Sequence, residues 1–224
     1  MDWSVRHGVS LTVCALLALA GCRGHQFGHV IEDDQKDLVG SHTAGAETFN
    51  PLIDEAVAKL LARQESAVGH GRPPEGSWAA KRICFVGIEN QSIEEIGDFR
   101  EQIYEQIDTQ ILNSSVFQPV SRRFVDAGLK QTRLRPDALF LPENMQMFAA
   151  AMAQQGQPFD YLLFAKLTSG TTGKNKDYQR DYLLTLELVN VNTGDFDKES
   201  AKVRKGYHAT RIGKLRNYNI FSRR

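Results

Sequence analysis

Cysteine is nearly absent from this chain: 224 residues contain three, at positions 14, 22 and 84. That excludes a disulfide-stapled fold, and no Cys-x-x-Cys or His-x-x-x-His pair falls on an expected helix or strand to suggest a metal centre. Charge of one sign is also missing, with 27 Lys and Arg against 27 Asp and Glu. Net charge therefore gives no reason to expect nucleic acid or another polyanion. No apolar run reaches the roughly 20 residues of a membrane-spanning helix. No serine sits in a nucleophile elbow. Gly170-Thr171-Thr172-Gly173-Lys174 lacks the spacing of a phosphate loop: two residues separate its glycines where four are needed, Asn175 follows the lysine, and a strand comes next. The acidic pairs Asp33-Asp34 and Glu94-Glu95 and the sequons at Asn90 and Asn113 form no catalytic constellation. With no cofactor, metal or small-molecule substrate indicated, the composition favours a binding module.

What is present begins at the N-terminus. Arg6 and His7 precede a run from Val9 to Ala20 that is apolar except for Ser10 and Thr12, and the run closes on Leu19-Ala20-Gly21-Cys22. This has the form of a bacterial lipoprotein processing site, with a signal peptide over 1–21 and the Cys22 thiol as lipid acceptor. The lipid would then be the membrane attachment. Arg23 after the cysteine favours outer-membrane sorting. Residues 22–48 are polar, without helical or strand period, and read as a flexible tether, ~90 Å at full stretch and about 30 Å as a coil. His25, His29 and His42 lie in it without the rigid surroundings that orient metal ligands, and read as solvated.

A helix is expected from Asn50-Pro51, with Asn50 as cap and Leu52, Ile53, Ala56, Val57, Leu60 and Leu61 as its apolar stripe, then a Pro-Gly loop, so that 49–80 form an N-terminal helix and loop. Ile83 to Ile88 reads as a buried strand that holds Cys84 as a small core residue. Asp98 with Glu101 suggests a capping box for a helix striped by Phe99, Ile103, Ile107 and Ile111. A short strand at Phe117–Val120 and helices at 123–130 and 143–155 follow, the last opened by Pro142, striped by Met145, Phe148, Ala149 and Met152, and closed by Gly156. Beyond Asp160 the pattern is strands: Tyr161–Thr168, a hairpin loop from Ser169 to Asp177, the alternating run around Tyr182–Val189, a turn at Asn192-Thr193-Gly194, and a charged edge strand at Phe196–Lys205. This order implies an α+β fold, a two-layer α/β sandwich whose mixed sheet of about five strands carries its helices mainly on one face. After Glu199 only basic charges remain, and 208–224 read as a basic C-terminal tail.

Four pieces in order resemble the LpoB family of outer-membrane lipoproteins. They are the strand ending in Glu89-Asn90-Gln91-Ser92, the helix running into Asn113-Ser114-Ser115-Val116-Phe117, the strand start Phe159-Asp160-Tyr161-Leu162-Leu163, and Val189 to Gly194 followed by Lys202-Val203-Arg204-Lys205. The resemblance, over about residues 81–207, implies a TolB N-terminal-like fold. It also implies a non-enzymatic activator that docks on a class A, bifunctional penicillin-binding protein and stimulates peptidoglycan synthesis, through coupling between a docking site and a distant active site. Phe159 stands where the family usually has a small residue. Cys22 is the one residue assigned a role, and partner-contact residues are left open between the helical face and the 169–177 loop. The alternatives are a structural or export lipoprotein of the same fold and, more remotely, an envelope hydrolase.

Overall fold

The computed structural model describes residues 44–68, 81–174 and 177–207. The described residues all belong to one compact unit, Gly40–Arg224, and everything below concerns it. Cys22, the three tether histidines and the basic tail fall outside the described residues.

Among the described residues ten elements follow one another: α1 (Ala46–Val68), β1 (Lys81–Gln91), α2 (Phe99–Ser114), β2 (Phe117–Pro119), α3 (Arg122–Thr132), a 3-10 turn (Pro136–Phe140), α4 (Pro142–Gln154), β3 (Tyr161–Lys174), β4 (Asp177–Asn190) and β5 (Phe196–Tyr207). The sheet order is β2-β1-β3-β4-β5. β1 runs parallel to β2 and β3, and the β3-β4-β5 meander is antiparallel. The α+β class and the mixed five-stranded sheet are those expected.

The helices are divided more evenly than a one-face arrangement. α1 and α2 cover one face, packing Leu52, Ile53, Ala56, Leu60, Ile103 and Ile107 on Phe85, Leu163, Ala165, Leu184 and Leu186. α3, the 3-10 turn and α4 cover the other at its β1–β3 end, through Val125, Leu139, Met145, Phe148 and Met152 against Cys84, Val86, Leu162 and Phe164. The reason is visible in β1. Ile83, Cys84, Phe85 and Val86 are all buried, so both sides of this strand require an apolar partner.

Three further expectations are corrected. α1 starts at Ala46, so 44–48 belong to the fold and not to a tether, and Pro51 occupies the sixth helical position in place of the first. Burial of Thr48 and Phe49, with Phe49 packed 5.3 Å from the Phe99 ring, outweighs the one helical hydrogen bond that proline forgoes. Asp98 has helical backbone angles and makes no capping bond. The Arg100 N–H is satisfied instead by the carbonyls of Ile96 and Gly97. Finally, the loop expected over 169–177 is mostly ladder, paired without a break from Tyr161↔Asn190 to Lys174↔Asp177. Gly170-Thr171-Thr172-Gly173-Lys174 is extended strand and has no cradle for a phosphate.

Glycine is used for its geometry at two places. Gly87 has φ +148° where the β1–β3 register shifts between Phe85 and Gly87. This bulge reverses the alternation, so that Ile88 packs on the same face as Phe85. Gly128 lets α3 approach α4: a Cβ there would lie 2.5 Å from Met152 Sδ and 3.0 Å from Phe148 Cε2.

Candidate functional site

Two features meet at the end of the sheet where the parallel strands terminate. On the face carrying α3 and α4 there is a groove of about 390 Å³, floored by Gly87, Glu89, Phe164, Lys166, Thr185 and Glu187 and walled by Arg100 and by Arg135, Pro136, Asp137 and Phe140. The sheet topology places it. β1 leads into α2 on one face, whereas the α3–α4 connection into β3 covers part of the other, and the groove lies beside that cover, on paired stretches of β1, β3 and β4 where Gly87 stands against Phe164, Phe164 against Glu187 and Lys166 against Thr185. The bulge at Gly87 brings bare backbone to the floor. Phe140 is 52% exposed, yet its ring stacks on Phe164 at 4.2 Å, and Leu141 beside it is 61% exposed. Arg135 is held by Asp137 at 2.5 Å, and Glu187 by Lys198 at 3.3 Å.

On the opposite face lies a polar cluster around Glu94, whose partners are too distant in sequence for its motif with Glu95 to reveal. Its side chain is 7% exposed and pairs with Arg180. It also accepts from Tyr182 Oη at 2.7 Å and from the Ala44 backbone N–H at 3.3 Å. Tyr182 and Tyr207 share a hydrogen bond of 3.0 Å, Tyr207 stacks on Tyr178, and the Arg180 guanidinium lies 5.3 Å from the Tyr207 ring. Glu47 pairs with Lys205 at 2.6 Å. Burial by itself would raise the Glu94 carboxyl, but the bonds from Tyr182, Ala44 and Arg180 prevail and hold it below the ordinary carboxylate range. Burial, with the Tyr207 and Glu94 bonds, pushes the Tyr182 hydroxyl up. The residues by which the chain enters the domain are thus fastened to β4 and β5.

One loop joins the two features. Asn90, in the groove lining, donates through its side-chain amide to the Glu94 carbonyl at 2.7 Å and accepts from Ser92 N–H at 3.0 Å. Cys84, by contrast, is fully buried and free. Burial pushes its thiol far up, so it is held as an inert core group. Among the described residues no helix is long and apolar enough to cross a membrane.

The family model described as peptidoglycan-synthase activator LpoB matches residues 52–196. The chain belongs to this family. No curated protein matches it in sequence. Among solved structures it is similar to the LpoB C-terminal domain from Salmonella enterica, at 16% identity and TM-score 0.46, covering 69% of this chain and 97% of that one. It is also similar to lipoprotein GNA1162 from Neisseria meningitidis, at 19% identity and TM-score 0.40 over 60% and 90% of the two chains. A third likeness is to the PelC dodecamer from Paraburkholderia phytofirmans, at 15% identity and TM-score 0.30 over 61% and 78%. The span matched to the LpoB family contains every groove residue named above. The Glu94 cluster straddles its limits: Glu94, Arg180 and Tyr182 lie inside, Ala44, Glu47 and Tyr207 outside.

Proposed function

We propose that this chain is an outer-membrane lipoprotein, anchored through lipid on Cys22, whose domain faces the periplasm and activates a class A penicillin-binding protein without performing chemistry itself. The observation that carries this reading is the match to the peptidoglycan-synthase activator family over residues 52–196. The lipoprotein box ending at Cys22 supplies the attachment, and the segment up to residue 43 supplies reach. Activation in this scheme is a coupling free energy. The lipoprotein binds the synthase's active conformation more tightly than its idle one and raises the turnover of groups it never touches. The test is to add the purified mature lipoprotein to class A synthases of the same bacterium and to follow glycan polymerisation and crosslinking. A stable complex and a faster rate are expected, and neither complex nor rate change with any of them refutes the proposal. Replacement of Cys22 by Ala should abolish lipid labelling and outer-membrane fractionation.

A further inference from the structure

We propose that the groove between β1, β3, β4 and the 3-10 turn is where the synthase docks, and that it takes an extended peptide segment of that partner bearing a large apolar side chain beside a carboxylate. This rests on the functional reading above and deepens it.

The chemistry of the lining selects the occupant. Of the three carboxylates there, Asp137 is held by Arg135 and Glu187 by Lys198, which reaches in from β5. Glu89 receives the Gln91 side-chain amide at 2.6 Å and stands in register with Lys166. Arg100, on the wall, makes no side-chain ion pair or hydrogen bond among the described residues, and neither does Lys166. The groove therefore presents two unpaired cations against one accessible carboxylate, a surplus that complements an anionic group. Beside them the stacked Phe140 and Phe164 rings form an apolar shelf. An aromatic rim flanked by a free arginine has the composition of an interface anchor. The volume of about 390 Å³ admits a few side chains, which suits a short extended segment. Gly87 contributes too, because a side chain at that position would project towards Pro136, whose Cγ would lie 4.0 Å from its Cβ.

The experiment uses the full mature chain in detergent, as wild type, Arg100→Glu, Phe140→Ser and the control Arg123→Glu, which reverses an exposed charge outside the groove lining. Affinity for the class A synthase is measured by biolayer interferometry, and glycan polymerisation is followed in parallel. Circular dichroism melts establish that each variant is folded. Arg100→Glu is expected to weaken binding by about tenfold or more, mainly by faster dissociation, and to shift the activation curve equally, while Arg123→Glu stays within about twofold. Phe140→Ser should weaken binding without removing a charge. Wild type that binds and activates while Arg100→Glu and Phe140→Ser match it overturns the groove and leaves the proposed function standing. Wild type that binds no synthase overturns the function first. Variants that keep the synthase but lose pull-down on isolated peptidoglycan also overturn the assignment, and give the groove to wall polymer.

Discussion

Arg180→Met should cost this fold several kcal/mol, and the reason lies in the Glu94 cluster. The substitution keeps the aliphatic stem and removes the guanidinium. It leaves a carboxylate that is 7% exposed with only the Tyr182 hydroxyl and the Ala44 N–H to stabilise it. Breaking a buried pair from one side costs about 3–5 kcal/mol. The two remaining bonds reduce that, and loss of the cation–aromatic contacts to Tyr178 and Tyr207 adds back about 0.5–2 kcal/mol. The expected loss is ~3 kcal/mol, against a total of about 5–15 for a domain of this kind. Urea unfolding of the mature chain at neutral pH, followed by far-UV circular dichroism, should show the midpoint falling by roughly 1–2 M at unchanged slope. The double variant Glu94→Met/Arg180→Met removes both charges and should recover most of the loss, since replacing a whole buried pair by apolar groups is often neutral. An Arg180→Met cost below about 1 kcal/mol, or additivity of the two single changes, refutes the view that these charges are coupled and desolvated. Acid provides a second axis. Because the folded-state carboxyl is held below its ordinary 4.5, the cluster's contribution is present above that value and is lost as pH falls through the lower folded one. Glu94→Gln should flatten that acid limb.

Gly128→Val should destabilise by about 1–3 kcal/mol through overpacking against Met152 and Phe148, read as a lowered thermal midpoint; an unchanged midpoint would mean that α3 and α4 separate freely. Gly87→Val forces an L-residue into φ +148° and should cost about 1–3 kcal/mol, again measured by urea unfolding. Cys84 should resist thiol-labelling reagents in native buffer and react fully in denaturant, because it is buried and its thiolate is disfavoured; rapid native labelling would contradict its placement in the core.

The order of elements was readable because their apolar periods are strong. The stripe Leu52–Leu60 on α1 and the alternation Tyr182–Leu188 on β4 each produce the buried face observed. What misled was local chemistry overridden by tertiary contacts. Pro51 marked a helix start only until burial of Phe49 drew the helix upstream. Gly170 and Gly173 read as loop because a strand's partner ladder is invisible in its own residues. The groove was hidden for a related reason: its wall is a five-residue 3-10 turn whose only sequence sign is Pro136 between Arg135 and Asp137. Its floor depends on a bulge that no periodicity announces. Glu94 looked like half of an idle acidic pair, and only the fold brings it to Arg180, 86 positions away.

The fastening of Ala44 to Glu94, and of Glu94 to Arg180, also sets how the domain meets force. In the arrangement proposed above, with the chain anchored to one membrane and docked on a synthase in another, the domain would be pulled whenever the envelope swells. Tension arriving at Ala44 is handed through the Glu94 carboxylate to β4, a strand hydrogen-bonded along its length to β3 on one side and β5 on the other. Part of the pull is thus shared with two ladders in the middle of the sheet, alongside the backbone path through Gly45 into α1.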